Sequence, residues 1–326
     1  MDEKVSIIVP FRNGEEYLER CMEGLLRQTY KNVEILLIDD GSADAGGRLC
    51  DDLAGRHPVI RVFHTECRGV SAARNRGLQE CTGAYAAFVD VDDYPAEDMI
   101  EYLLSLLRQT DCDVAGCGFI TFREGEPLPL GKEKSPGVEV LTGIEFMEKG
   151  ILQSDTRCWS KLYKRESIGN TRFQEGLTIG EDMLFLLELA RKGKTFCRSA
   201  YPGYGYFINE KGAMNRSFRN SYMDQITCWQ RALESIQKSA PALTNRTVSI
   251  LLISTLLVVG KLALLPKEER KKKASFFQEC SAVIRTYSTN ADAVSLLDRG
   301  YKIKISIYAH TPGLYVYLYH ILKRGL

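Results

Sequence analysis

Asp90, Asp92 and Asp93 stand as D-x-D-D directly behind the apolar run Tyr85–Val89. In extended chain, residues i and i+2 lie on one side, so Asp90 and Asp92 face one point if the strand persists that far. Carboxylates held this close repel and raise one another's pKa unless a cation sits between them. Oxygen-only ligands suit Mg²⁺ or Mn²⁺, which complete their shells with water and phosphate oxygens. A metal-bridged diphosphate is the natural occupant. Taken alone, so short a motif reads more readily as loop acids ahead of a helix starting near Ala96.

Three further segments carry polar groups of the right kind. Asp39-Asp40-Gly41-Ser42 follows the run Val33–Ile38; Gly41 permits a tight turn, and an acid there can accept from a ribose or a base N–H. Arg74-Asn75-Arg76-Gly77 lies in a helical pattern, where a guanidinium meets a base, a phosphate or a neighbouring carboxylate. Glu181-Asp182 opens a helical run at Met183. That pair either compensates the helix dipole or holds a general base.

Elements that would position these groups are legible in the periodicity. Val5–Val9, Val33–Ile38, Ile60–Phe63, Tyr85–Val89 and Val114–Phe122 are apolar runs of strand length. Between them Tyr17, Leu18, Cys21, Met22, Leu25 and Leu26 recur at helical spacing, with Asn13 as a candidate cap, and helices are expected around Arg48–Leu53, Ser71–Leu78 and Met99–Leu107. Such alternation predicts an α/β fold with a mostly parallel sheet flanked by helices. Ligands then bind beyond the carboxyl ends of the strands, and the polar clusters at Arg12-Asn13, Asp39-Asp40 and Asp90-Asp93 all fall there. Arg123–Gly137 reads as an exposed excursion rich in Pro, Gly and charge.

In order and spacing, these segments resemble glycosyltransferase family 2. The resemblance rests on Val5-Ser6-Ile7-Ile8-Val9-Pro10 with Asn13 and Tyr17-Leu18, on Ile38-Asp39-Asp40-Gly41-Ser42, and on Gly69 through Leu78. It continues in Phe88-Val89-Asp90-Val91-Asp92-Asp93, Cys158-Trp159-Ser160-Lys161-Leu162-Tyr163 and Glu181-Asp182-Met183-Leu184-Phe185. It implies a GT-A-type, Rossmann-like catalytic domain over 1–220 and a mainly helical region over 221–326 for acceptor, oligomer or membrane contact. It implies a metal-dependent, inverting transfer from a nucleoside-diphosphate sugar, with UDP the expected nucleotide, to a hydroxyl of a glycan or lipid-linked glycan in cell-surface polysaccharide synthesis. Carried over residue by residue, Asp182 is the catalytic base. Pro10, Asn13, Asp39, Asp40, Arg74, Asp90 and Lys161 bind the donor, and Asp92, Asp90 and Asp93 hold Mn²⁺ or Mg²⁺. One departure is Gly212-Ala213-Met214-Asn215-Arg216-Ser217, where Ala213 and Asn215 stand at positions that are usually serine.

Composition narrows the field further. The 326 residues carry a formal net charge of +1, so no global field marks a nucleic-acid binder. The ten cysteines are scattered without a C-x-x-C pair, and only four histidines are present, which argues against structural zinc and for reduced core cysteines. The acidic start and the Pro10 interruption are unlike a secretory signal, so a cytoplasmic protein is expected. A dinucleotide-binding oxidoreductase needs G-x-G-x-x-G where Pro10-Phe11-Arg12-Asn13-Gly14 stands. A nucleotidyltransferase needs a Gly-rich basic loop there; a non-catalytic nucleotide- or glycan-binding family member is the remaining alternative.

In the last third, Thr247–Gly260 is uncharged and apolar, but fourteen residues fall short of the about 30 Å a bilayer requires. A helix buried in protein is expected. Tyr301–Leu326 holds Lys302, Lys304, Lys323 and Arg324, no acid, and many Tyr, Ile and Leu. That composition suits an interfacial helix at the inner face of the plasma membrane, or a self-packing helix in a homo-oligomer.

Overall fold

A computed structural model describes residues 3–131, 137–209 and 218–324. The chain divides into two compact units, residues 1–212 and 213–326.

The first unit opens with β1 (Val5–Phe11), α1 (Leu18–Leu26), β2 (Val33–Asp39), α2 (Gly46–Arg56), β3 (Ile60–His64), α3 (Val70–Glu80) and β4 (Tyr85–Phe88). Every residue of β1 and of β4 is buried, as strands covered on both faces require. The four strands pair in parallel in the order β3-β2-β1-β4. Successive strands step outward from β1 to β3, and the chain then returns to β4 on the other side of β1. Strand order thus reverses between β1 and β4, which is where open α/β sheets bind ligands. Pairing of β1 with β4 ends at Ile8 and Phe88, whereas pairing with β2 continues to Phe11 and Asp39. Pro10, which has no N–H to offer, falls in the stretch where β4 has already parted.

The unit continues with β5 (Tyr94–Pro95), α4 (Met99–Thr110), β6 (Val114–Phe122), β7 (Val138–Leu141), α5 (Gly143–Lys149), β8 (Lys161–Lys164), α6 (Arg165–Ile168), α7 (Glu181–Arg191) and β9 (Phe196–Phe207). This half departs from a simple parallel sheet. β8 inserts antiparallel between β4 and β6, β9 runs parallel to β6, and β5 and β7 pair antiparallel with β9. Phe88, Tyr163, Phe173 and Phe185 form an aromatic cluster that fixes β4, β8 and the start of α7 against one another, with Phe173 and Phe185 stacked at 4.1 Å. Gly77 lets α3 lie against β1, since a Cβ there would stand 2.3 Å from Ile8. That close approach places Arg74, one turn earlier, against the sheet. All ten cysteines are free, and only Cys67 is exposed.

The second unit holds α8 (Asp224–Ser239), α9 (Thr244–Ala263), α10 (Lys267–Lys272), α11 (Ala274–Tyr287), α12 (Ala291–Ser295), α13 (Arg299–His310) and α14 (Pro312–Arg324). The apolar run expected to be short belongs to a longer helix: with the turn before it, the helical stretch spans Pro241–Ala263, 23 residues, with mean hydropathy 1.7 over its most apolar 18 residues. Length alone would let it cross a bilayer. Its side chains are instead packed within the unit, with Leu251, Leu252, Val259, Leu262 and Ala263 fully buried. The hydroxyls of Thr247 and Thr255 donate to the carbonyls of Leu243 and Leu251 one turn back, so the polar atoms in this core are satisfied.

Candidate active site

Three loops at the carboxyl ends of β1, β2 and β3 are laced together by the residues singled out in sequence. Asn13 adopts a left-handed backbone (φ 55°), donates its N–H to Ser42 Oγ at 2.9 Å and accepts from the Ala43 N–H at 2.8 Å. It therefore joins the first two loops and does not cap α1, whose N-cap is Tyr17. Gly41, at φ +69°, lies where a Cβ would come within 3.0 Å of the Cys67 nitrogen. A side chain there would push the second loop off the third.

Asp39 and Asp40 are both 4% exposed, and all four of their oxygens are engaged. Asp39 accepts from the Ser42 N–H at 2.8 Å and pairs with His64 Nδ1 at 2.9 Å. Burial opposes its ionisation, but the bonds from Ser42 and His64 prevail and hold it below the usual carboxylate range. Asp40 accepts from the backbone N–H groups of Arg68 and Gly69, each at 2.8 Å, at the entry of α3. Each of these oxygens accepts one of the two bonds open to it, so Asp39 and Asp40 tie the loops after β2 and β3 together. Cys50, Asp51 and His64 bring three ligand-type atoms within 4.8 Å of one another. They are not a metal cradle, because both His64 nitrogens are taken by Asp39 and Asp51, and burial pushes the Cys50 thiol up to about 12.

Arg74 is the centre of the site. Its side chain is 4% exposed, and it reaches Asp90 Oδ1 at 2.9 Å, Glu181 Oε1 at 3.0 Å and Asp182 Oδ1 at 2.6 Å. The Phe173 ring lies 5.3 Å beneath the guanidinium. Of the three partners open to Arg74 in sequence, the structure shows the carboxylates. One buried cation against three acids leaves the cluster net negative. Burial and the charge of Asp182 push Glu181 up to about 7, against the opposing pull of Arg74. Asp182, at the first turn of α7, accepts from Arg74 with one oxygen and from the Cys158 N–H at 3.1 Å with the other. Sequence reasoning set Glu181 aside as the companion of Asp182; its nearness to Arg74 depends on a contact between residues 107 positions apart.

Asp90, Asp92 and Asp93 separate into two kinds. Asp90 spends one oxygen on Arg74 and Asp92 one on a long, 3.4 Å contact from Asn209. Each keeps a second oxygen with no hydrogen-bond partner among the described residues. Burial raises the pKa of both, and the charges of Asp182 and Asp92 add to it at Asp90. Two partly open carboxylates under this strain fit a hard divalent cation that finishes its shell with phosphate and water. Asp93 does not fit that role: it is 1% exposed and accepts from Tyr204 Oη and the Phe207 N–H, both at 2.8 Å. It anchors the D-x-D turn to β9.

Two supports were not foreseen. Arg20 donates to the Asp92 carbonyl at 2.7 Å and lies 4.3 Å over the Phe207 ring. Its one-turn spacing from Tyr17 was the available signal. Trp159 stacks on Tyr204 at 4.7 Å and on Tyr206 at 5.2 Å, continuing the wall from Asp93. Lys161 is buried in an ion pair with Asp155 at 2.6 Å and donates to the Arg157 carbonyl. It lines a cavity of about 260 Å³ with Asp155, Arg157 and Arg198. The Ala213 and Asn215 departure lies outside the described residues.

With this geometry in view, comparisons with known proteins are direct. The model of the family described as "Glycosyl transferase family 2" matches residues 6–172. The Escherichia coli K12 protein named "Uncharacterized glycosyltransferase YibD" is 37% identical over 255 residues, 72% of each chain. Bacillus subtilis "Uncharacterized glycosyltransferase EpsJ" is 36% identical over 196 residues, 58% of this chain and 57% of its own. Streptococcus pneumoniae "Glycosyltransferase GlyA" is 35% identical over 237 residues, 69% of this chain and 33% of its own. The chain thus spans less than two thirds of the length of the latter two. Among solved structures, S. aureus TarS 1-349 in complex with UDP-GlcNAc matches at TM-score 0.74 and 19% identity, over 99% of this chain and 92% of that one. A Pyrobaculum calidifontis mannosyltransferase with GDP-Man and Mn²⁺ matches at TM-score 0.54 and 16% identity, over 96% and 88%. The α/β sheet with its reversal between β1 and β4 is thus a GT-A fold, and the chain belongs to glycosyl transferase family 2.

Proposed function

We propose that the chain transfers a sugar from a nucleoside-diphosphate sugar to a hydroxyl of a glycan or lipid-linked glycan, with inversion, in cell-surface polysaccharide synthesis. The observation that carries this reading is the Arg74 hub, which joins Asp90 of the D-x-D to Asp182 of α7 at the strand-order reversal. UDP is the favoured nucleotide, by analogy with TarS in complex with UDP and with UDP-GlcNAc.

In this reading Asp182 is the base. Its bonds from Arg74 and the Cys158 N–H hold the carboxylate in one orientation. An Asp182 oxygen takes the proton of the acceptor hydroxyl as that oxygen attacks the anomeric carbon. The bond from that carbon to the diphosphate breaks, and nucleoside diphosphate leaves. A positioned base of this kind contributes roughly 10²–10⁴-fold in rate. Asp92 and Asp90 would hold Mn²⁺ or Mg²⁺, and the chemistry such an ion would supply is Lewis-acid stabilisation of the departing diphosphate. Asp39, Asp40 and Asn13 keep the nucleotide pocket in shape, and Pro10 lies beside the gap that admits it.

Titration calorimetry with UDP, with and without Mn²⁺, tests the reading. Binding should strengthen with Mn²⁺, and Asp92→Ala should lose that gain. Absence of a response to UDP and to GDP, with either metal, would remove the donor assignment and favour a non-catalytic role.

A further inference from the structure

The second unit carries a surface that the transfer reaction does not use. Within α14, Leu314, Tyr317, Leu318, Ile321 and Leu322 are exposed, from 40% at Leu318 to 68% at Leu322. Their spacing of three and four residues puts them on one face of the helix. The opposite face is anchored: Tyr315 is buried against Tyr308, and His320 Nδ1 bonds the Ala263 carbonyl at 2.8 Å. The apolar stripe is therefore the outer side of a docked helix and not a core face left over by fraying. Ile303 of α13 adds to it at 51% exposure.

Gly313 and Val316 of α14 line a cavity of about 580 Å³. Its floor is apolar, built from Phe277, Tyr308 and Pro312. Four cations stand around it, namely Lys267, Arg270, Lys271 and Arg285, and no acid lines it. Among the described residues, neither Lys267 nor Arg285 pairs with a carboxylate. Asp298 is the last acid of the chain, while Arg299, Lys302, Lys304, Lys323 and Arg324 follow it. An apolar stripe, an apolar groove and unbalanced positive charge coincide on one small set of helices.

We propose that α14 and this groove form a docking surface for an anionic phospholipid bilayer. The stripe enters the boundary between headgroups and acyl chains, and the groove takes a lipid whose phosphate meets Lys267 and Arg285. Charge complementarity selects this occupant. A second copy of the chain would set the groove's own cations, offset only in part by the Lys271–Glu268 pair, against themselves, and like charges there would repel. An uncharged apolar partner would leave the cations unmatched. The inference does not rest on the proposed transfer reaction, and its test needs no donor or acceptor.

The full chain is floated with vesicles of phosphatidylcholine alone or with three parts in ten phosphatidylglycerol. Binding to the anionic vesicles should exceed binding to the neutral ones by about tenfold or more, and weaken several-fold as salt rises to about 0.5 M. Lys267→Glu with Arg285→Glu should remove most of that preference. Leu318→Glu with Ile321→Glu should lower binding to anionic vesicles by about tenfold or more. These positions are on the surface, so the variants should keep the wild-type melting temperature. Equal flotation with both vesicle types would overturn the proposal, as would release from the vesicles by millimolar inorganic phosphate, which would identify a site for free phosphate. Sedimentation velocity supplies the remaining arm: a dimer dispersed by the α14 variant, without vesicle binding, would make the surface a self-interface and overturn the proposal.

Discussion

The two units carry opposite charge imbalances, and they hold them differently. In the first, Asp90, Glu181 and Asp182 share one buried arginine. In the second, the cations that follow Asp298 have no acid after them in the chain. A formal net charge of +1 conceals both. Buried imbalance is unscreened, so it shifts proton affinities and fixes a geometry, which is what a site for chemistry needs. Exposed imbalance is screened within about 8 Å at physiological salt, so it selects a surface and not an orientation.

The contrast can be broken most severely at Arg74. Arg74→Met should leave three acids without their cation and cost about 3–5 kcal/mol of stability, as removal of one partner from a buried ionic cluster does. Denaturant melts would check it, and a loss below about 1 kcal/mol would mean the acids are not held by Arg74. Tyr204→Phe is the next step down. It removes one of the two donors to Asp93 and should cost about 1–3 kcal/mol, with Mn²⁺ affinity also reduced if Asp93 sets the D-x-D turn.

The pH dependence sharpens the comparison within the first unit. Glu181 has a folded-state pKa raised from 4.5 to about 7, so the folded state holds the extra proton between those values. Stability should therefore fall as pH rises through that window, and Glu181→Gln should flatten the fall. Glu34 is the reverse. Burial opposes its ionisation, but bonds from Ser6, Thr82 and Arg61 lower it to about 2, so its contribution is present above about 4.5 and lost as pH falls through about 2. Melts of Glu181→Gln and Glu34→Gln across pH 2–8 should show slopes changed in opposite senses. The smallest effect belongs to the second unit: Lys272→Ala, which breaks an exposed pair with Glu269, should alter stability by no more than about 0.5 kcal/mol.

The parallel half of the sheet was legible because β1, β2 and β4 are continuous apolar runs with polar residues directly after them. The antiparallel insertion of β8 was not, since Lys161–Lys164 is four residues long with a lysine at each end. Site residues were recognisable by type but not by partner. Asp40 and Asp93 look in sequence like free carboxylates, yet their oxygens are satisfied by Arg68, Gly69, Tyr204 and Phe207, some of them more than a hundred positions away. Local pattern carries no record of such bonds. Lys161 is a similar case: its partner Asp155 belongs to no motif. The length of α9 was underestimated because Thr244, Asn245 and Arg246 precede the apolar run without breaking the helix.

The central claim is that Asp182 takes the acceptor's proton while Asp92 and Asp90 serve the donor. Its most direct test is turnover of the UDP-sugar that wild type hydrolyses or transfers, compared with Asp182→Asn under saturating donor and Mn²⁺. We predict a fall in kcat of roughly 10²–10⁴-fold with donor affinity unchanged by calorimetry. Near-normal turnover in Asp182→Asn would remove Asp182 from the mechanism.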